Sequence, residues 1–166
     1  MPGYEKTTNF LTSFFIYSIA AIVIMAAGFK VVQYSTRLKF YTRYLLKWEQ
    51  ALTQLTAKDT MGPKFTGSNH VLYMEQMIQH MQTHGIPIPE SNTGKPYVYR
   101  IPKQGLTEKQ DIFLLCLEQK IVLFGLSKPT FDMLDKKIDN KLDENHGTFT
   151  GKQQQDNEDY TAIWKL

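Results

Sequence analysis

Only one cysteine, Cys116, occurs in the chain, which rules out a disulfide within it. Flanked by Leu115 and Leu117, it reads as a small core residue. The short patterns that announce catalysis are missing too. There is no glycine-rich phosphate loop, no Gly-x-Ser-x-Gly elbow, no His-Glu-x-x-His pair and no Cys/His pair at nucleophilic spacing. We therefore expect no enzyme, no cofactor and no small-molecule substrate. Excess charge of one sign is scarce. A formal net charge of +3, spread along the chain rather than gathered in a stripe, gives no reason to expect a nucleic-acid partner. The longest gap is in charge itself: residues 7–29 carry none, and residues 11–29 are almost wholly apolar.

Those 23 residues make about 34 Å of α-helix, enough to cross a hydrocarbon core of about 30 Å with modest tilt. A secretory signal would show a basic start and a small-x-small cleavage site. Here only Lys6 precedes the run, beside Glu5, and Ala26-Ala27-Gly28 leads straight into helix-compatible sequence. The segment therefore reads as a retained membrane anchor. The expected organisation is a short flank at 1–9, a transmembrane helix at 10–29, an amphipathic continuation at 30–57 and one small α+β domain at 58–166.

The continuation is defined by an apolar stripe. Val31, Tyr34, Leu38, Tyr41, Leu45, Trp48, Leu52 and Leu55 follow one another at spacings of three and four, with no proline or glycine until Gly62-Pro63. This predicts an unbroken helix to about residue 57, with one apolar face needing a partner. The partner is either the protein's own domain or a second copy in a coiled coil, and the bulk of Tyr34, Tyr41 and Trp48 favours packing on a sheet.

Ser68 is expected to cap a second helix, with Val71, Met74, Met77, Ile78 and Met81 inward and His84-Gly85 at its end. His80 and His84 share one helical face, a spacing common enough in cap or surface histidines to give no metal site by itself. The prolines of Ile86-Pro87-Ile88-Pro89 predict an extended connector. Three antiparallel strands are expected around 97–101, 112–117 and 121–124, then a helix opened by Ser127-Lys128-Pro129 with Phe131, Leu134 and Ile138 on one face. A polar loop should follow at 139–151, a flexible loop at 151–158 and a closing strand at 160–166. Asp139, Asp143 and Glu144, in that polar loop, are weak calcium candidates, because Lys136, Lys137 and Lys141 interleave with the acids and dilute their charge.

The long N-terminal helix followed by a small antiparallel sheet resembles the type IV pilins and type II secretion pseudopilins. Further residues carry the resemblance: the strand entry Gly94-Lys95-Pro96-Tyr97-Val98-Tyr99, then Val122-Leu123-Phe124-Gly125-Leu126-Ser127, Leu134-Asp135-Lys136-Lys137-Ile138-Asp139 and Gly147-Thr148-Phe149-Thr150-Gly151. The resemblance implies a pilin-like fold and a structural subunit of a filament or secretion or pilus assembly. It also implies anchoring in the bacterial inner membrane, a periplasmic or extracytoplasmic domain, and self-association or contact with other pilin-like subunits. The family's peptidase site would fall at Gly3, the candidate processing site. Here Tyr4-Glu5 follows, and the family's glutamate five residues past the cut falls on Thr8, so cleavage is not expected. Lys30, Arg37, Lys39, Arg43 and Lys47 flank the anchor on its C-terminal side. By the positive-inside rule they place the domain in the cytoplasm instead, which leaves a second reading: a single-pass membrane adaptor that dimerises through its juxtamembrane helix.

Overall fold

The computed structural model describes residues 3–58, 62–103, 108–154 and 158–166, with side chains from residue 9 onward. Helix α1 spans Gly3–Phe40, passes through a π-helical turn at Tyr41–Leu45 and continues as α2, Leu46–Ala57. The chain divides into two units, residues 1–36 and 37–166.

Between residues 10 and 29 helix α1 is largely apolar and uncharged. Phe10, Phe14, Phe15, Ile16, Ile19, Ile22, Val23, Ile24 and Met25 are each more than half exposed. Its most apolar stretch has a mean hydropathy of 2.2, and the helix is long and apolar enough to cross a membrane. A helix with no polar face has nothing to offer water and is suited to lipid.

The second unit is α+β. Helix α3 spans His70–Thr83 and α4 Lys128–Ile138. Strands β1 (Val98–Pro102), β2 (Lys109–Leu117), β3 (Lys120–Leu126), β4 (Phe149–Gln153) and β5 (Tyr160–Lys165) form one antiparallel sheet in the order β1-β2-β3-β5-β4. β2 and β3 are joined by the two-residue turn Glu118-Gln119, which sets Leu114 opposite Leu123 and Cys116 opposite Ile121. Successive strand residues face opposite sides. Ile101, Ile112, Leu114, Cys116, Ile121, Leu123, Ala162 and Trp164 share one buried face. Tyr99, also on that face, meets Phe40 and Tyr44 at ring distances of 5.1 and 4.7 Å, and Phe131 of α4 stacks on Tyr160 at 5.1 Å. On the other face, His70 at the start of α3 packs edge-on against Phe113 and Phe124.

The second helix begins one residue later than expected. Asn69, not Ser68, is its cap and accepts from the Leu72 N–H, so the buried face comprises Tyr73, Met74, Met77 and Met81 while Val71 is exposed and Ile78 half-buried. Its end is closed by Gly85, at φ +66°: Gly85 N–H donates to Gln82 O and Ile86 N–H to Met81 O. Two further expectations need correcting. The helix from the anchor is not uniformly α, because of the π turn. The region 149–153, expected to lie in polar and flexible loops, is strand β4; it carries little apolar signal, and pairing with β5 makes it a strand. Residues 155–157 of that loop lie outside the described residues.

Hydrogen bonds from neighbouring loops reach both edge strands, at Val98 and Arg100 of β1 and at Phe149 and Gly151 of β4. On β1, Asn92 mimics a neighbouring strand, its Oδ1 accepting from Arg100 N–H at 2.8 Å and its Nδ2 donating to Arg100 O at 2.6 Å. The Ser91 and Thr93 hydroxyls both donate to Val98 O, and Pro102 has no N–H to offer. On β4, the outward N–H groups of Phe149 and Gly151 donate to Asp139 Oδ2 and Glu144 O, each at 2.9 Å.

Candidate functional site

The helix face and the acidic loop are the two places where sequence reasoning concentrates function. On the helix, Leu45, Trp48, Leu52 and Leu55 are buried in the core of the second unit, and Leu38 and Tyr41 are half-buried. Val31 and Tyr34 are exposed. Three buried residues lie off the expected stripe: Phe40, Tyr44 and Ala51. The π turn explains the displacement, because one extra residue per turn carries the inward face from Tyr41 back to Phe40. Tyr44 also anchors the helix by donating from its hydroxyl to Pro96 O at 2.7 Å, in the approach to β1. A long-range bond of this kind leaves no trace in local spacing.

The acidic loop is built for a different purpose than its composition suggests. Asp139, at the C-terminus of α4, accepts from Thr148 Oγ1 at 2.6 Å, Thr148 N–H at 3.1 Å and Phe149 N–H at 2.9 Å. Partial burial pulls its pKa upward, but these three donors outweigh it and leave the carboxyl below its ordinary range. Asp143 accepts from His146 Nδ1 and Asn145 N–H and is likewise held low. Glu144 pairs with Lys128 at 2.9 Å, and that lysine also holds Asp132 at 2.8 Å. The calcium candidates Asp139, Asp143 and Glu144 thus turn toward three separate sets of donors, and among the described residues no group of three His, Cys, Asp or Glu is placed to hold a metal ion.

Asp135, one helical turn before Asp139, is the unusual member. It is buried, its Oδ2 accepts from Asp143 N–H at 2.8 Å, and its Oδ1 is buried without a partner. Burial raises its pKa above the ordinary carboxylate value, and the nearby Asp139, Asp143 and Asp132 push it the same way. The loop is pinned further by its glycines. At Gly147, φ is +124° and a Cβ would fall 2.2 Å from Asp139 Oδ2, so only glycine lets the chain pass the carboxylate it serves. Together these contacts clasp the end of α4 to the start of β4.

An open cleft of about 510 Å³ lies beside the start of α4, lined by Lys103, Glu108, Ser127, Lys128, Gln153, Asp159 and Tyr160 among others. A polar relay crosses it: Lys103 pairs with Asp159 at 3.5 Å, Gln110 Nε2 donates to Asp159 Oδ1 at 3.0 Å, and Ser127 N–H donates to Gln110 Oε1 at 3.2 Å. Gln110, Ser127 and Thr130 are buried, and their hydrogen bonds fix β2, the cap of α4 and the approach to β5 against one another. His80 and His84 sit with rings 4.4 Å apart, and His84 Nδ1 engages His80 O at 2.8 Å. Cys116 is fully buried and burial pushes its thiol pKa well up, a setting for a packing residue. Gly3 is the first residue of α1.

No protein-family model, curated protein or solved structure matches this chain.

Proposed function

We propose that this protein is a structural subunit, pilin-like in design, of a membrane-anchored filament or of a secretion or pilus assembly. One observation carries the reading. A single helical run begins as a largely apolar segment and, from Phe40 to Leu55, buries one face in an α+β domain built on an antiparallel sheet. The same element therefore serves lipid in its first part and a folded domain in its last. Such continuity suits a subunit that carries its anchor and its folded domain on one element. It is supported by the resemblance of four sequence blocks, which fall on the entry to β1, the end of β3 with the cap of α4, the end of α4, and the start of β4. On this reading the bacterial inner membrane holds the helix, the domain is extracytoplasmic, and the partners are copies of this chain or other pilin-like subunits.

A second reading is favoured by one feature, the basic flank. Lys30, Arg37, Lys39, Arg43 and Lys47 stand without a single acidic residue among them up to Glu49. A single-pass adaptor with a cytoplasmic domain, dimerising through the juxtamembrane helix, would carry such a flank. Protease treatment of right-side-out vesicles separates the two. Digestion of the domain from outside is expected for the subunit, whereas a domain shielded until lysis overturns the pilin-like reading and leaves the adaptor.

A further inference from the structure

The apolar stripe from Val31 to Leu55 keeps its three-and-four spacing throughout, the mark of one continuous α-helical frame. The backbone breaks that frame within a single turn. Tyr41–Leu45 is π-helical, and the Leu46 N–H donates to Tyr41 O, five residues back. A π turn holds one residue more than an α turn, which rotates the residues just before it, Arg37–Phe40, by about 100° against those after it. Burial follows the rotated frame. Phe40 is fully buried, Leu38 and Tyr41 only half, and Tyr34 is 48% exposed. Spacing and backbone thus specify different frames for one helix.

Each frame brings an aromatic residue to the side that faces the core. Phe40 stacks on Tyr44 at 5.6 Å and leans on Tyr99 at 5.1 Å. In an uninterrupted α-helix Tyr41 falls two turns before Trp48 on the same face and offers a second aromatic ring to that region. The turn is also locally supported. Thr42 Oγ1 donates to Leu38 O at 2.9 Å, a side-chain bond of the type that bends helices and meets a carbonyl from within. Proline and glycine, which fix most helix interruptions in place, are absent from residues 30–61. The interruption therefore rests on packing and hydrogen bonds alone, and both can be exchanged.

We propose that Tyr41–Leu45 is a register switch with two settings. In one, the π turn is present and Phe40 occupies the core; in the other, the turn closes into the α pattern, and Tyr41 and Leu38 take the buried side while Phe40 leaves it. The exchange shifts hydrogen-bond partners by one residue and breaks no covalent bond. It gives residues 37–40, within the second unit, two settings against the core without unfolding the sheet. This goes beyond the proposed role in assembly and does not depend on it, because a lone chain in a micelle has the same switch.

The test uses the full chain in detergent micelles with a single fluorotyrosine at position 41, observed by fluorine NMR with saturation-transfer detection of minor states. The expected result is a major, water-accessible signal exchanging with a minor, shielded one. Phe40→Ser should enlarge the minor population several-fold by weakening the present setting. Deleting Thr42, which is exposed, removes the extra residue, leaves Phe40 inward in a plain α-helix and should abolish the minor signal. One signal in all chains, or a minor signal that survives the deletion of Thr42, overturns the switch. Should Phe40→Ser fail to fold, the unsubstituted chain and the deletion decide the matter between them. Monomeric micelles keep the outcome separate from whether the chain assembles.

Discussion

An alanine at Gly151 measures how closely β4 is pressed onto α4. A Cβ at this position would lie 2.2 Å from Phe131 Cε2 and 2.9 Å from its Cζ. Carbon atoms rest at about 3.5–4.0 Å, so the overlap is on the order of 1.5 Å. Phe131 has little room to yield, being fully buried with the rings of Phe149 and Tyr160 at 5.3 and 5.1 Å. Without this contact, replacing a strand glycine by alanine should stabilise by roughly 0.5–1 kcal/mol, because the unfolded chain loses freedom. Overpacking costs about 1–3 kcal/mol and more where the neighbour is confined, so the expected net effect is a loss of about 3 kcal/mol. The sign alone is therefore diagnostic. In a Phe131→Leu background, which itself costs about 2 kcal/mol, the alanine should cost under about 1 kcal/mol, a coupling of about 2 kcal/mol. Urea unfolding in detergent, followed by the fluorescence of the buried Trp48 and Trp164, gives each term of the cycle. A neutral or stabilising Gly151→Ala, or strict additivity with Phe131→Leu, would refute the close approach of β4 and α4.

Asp135→Asn should stabilise the protein at neutral pH by about 1 kcal/mol, since it keeps an acceptor for the Asp143 N–H and removes a buried, half-unpartnered carboxylate. The raised folded pKa of Asp135 means the folded state holds that proton more tightly than the unfolded one. Its contribution to stability therefore declines as pH rises from the ordinary carboxylate value through the raised one, and urea titrations across that window should show the decline reduced in the variant. Leu45→Asp should cost more than the roughly 2–5 kcal/mol of a lost core leucine, because it also buries a charge; Val31→Asp, on an exposed position, should leave the unfolding of the domain unchanged. Intact-mass analysis of protein from its native host should find a chain that begins at Met1 or Pro2, since Thr8 offers no buried carboxylate to pair with a freed amine; a chain beginning at Tyr4 with a methylated amine would contradict this.

What the sequence made legible followed from periodicity. The uncharged run is a helix exposed along its length, the Met74-Met77-Met81 spacing buries one helix face, the apolar runs of β2 and β3 are strands at the centre of the sheet, and Ser127-Lys128-Pro129 marks the start of α4. What stayed hidden depends on distant partners. β4 has one large apolar residue, Phe149, and becomes a strand because β5 pairs with it. Asp139 reads as a turn acid, yet its donors come from residues nine and ten positions on, brought round by a loop whose path spacing does not encode. The π turn has no marker residue at all, so a stripe that is regular in sequence is displaced at Phe40 and Tyr44. The buried Gln110-Ser127 bond joins residues 17 apart through a polar side chain that would ordinarily be assigned to the surface.

The hydrogen-bonded edges of the sheet bear on how a chain with a helix apolar enough to cross a membrane meets its own copies. Confinement to a plane raises local concentration and aligns neighbours side by side, the conditions under which a bare strand would recruit the next chain and propagate without limit. Here that route is obstructed at both ends of the sheet, by the amide of Asn92 and the hydroxyls of Ser91 and Thr93 on one side and by the loop that carries Asp139 and Glu144 on the other. Side-chain contacts, unlike backbone ladders, discriminate between partners and come apart again.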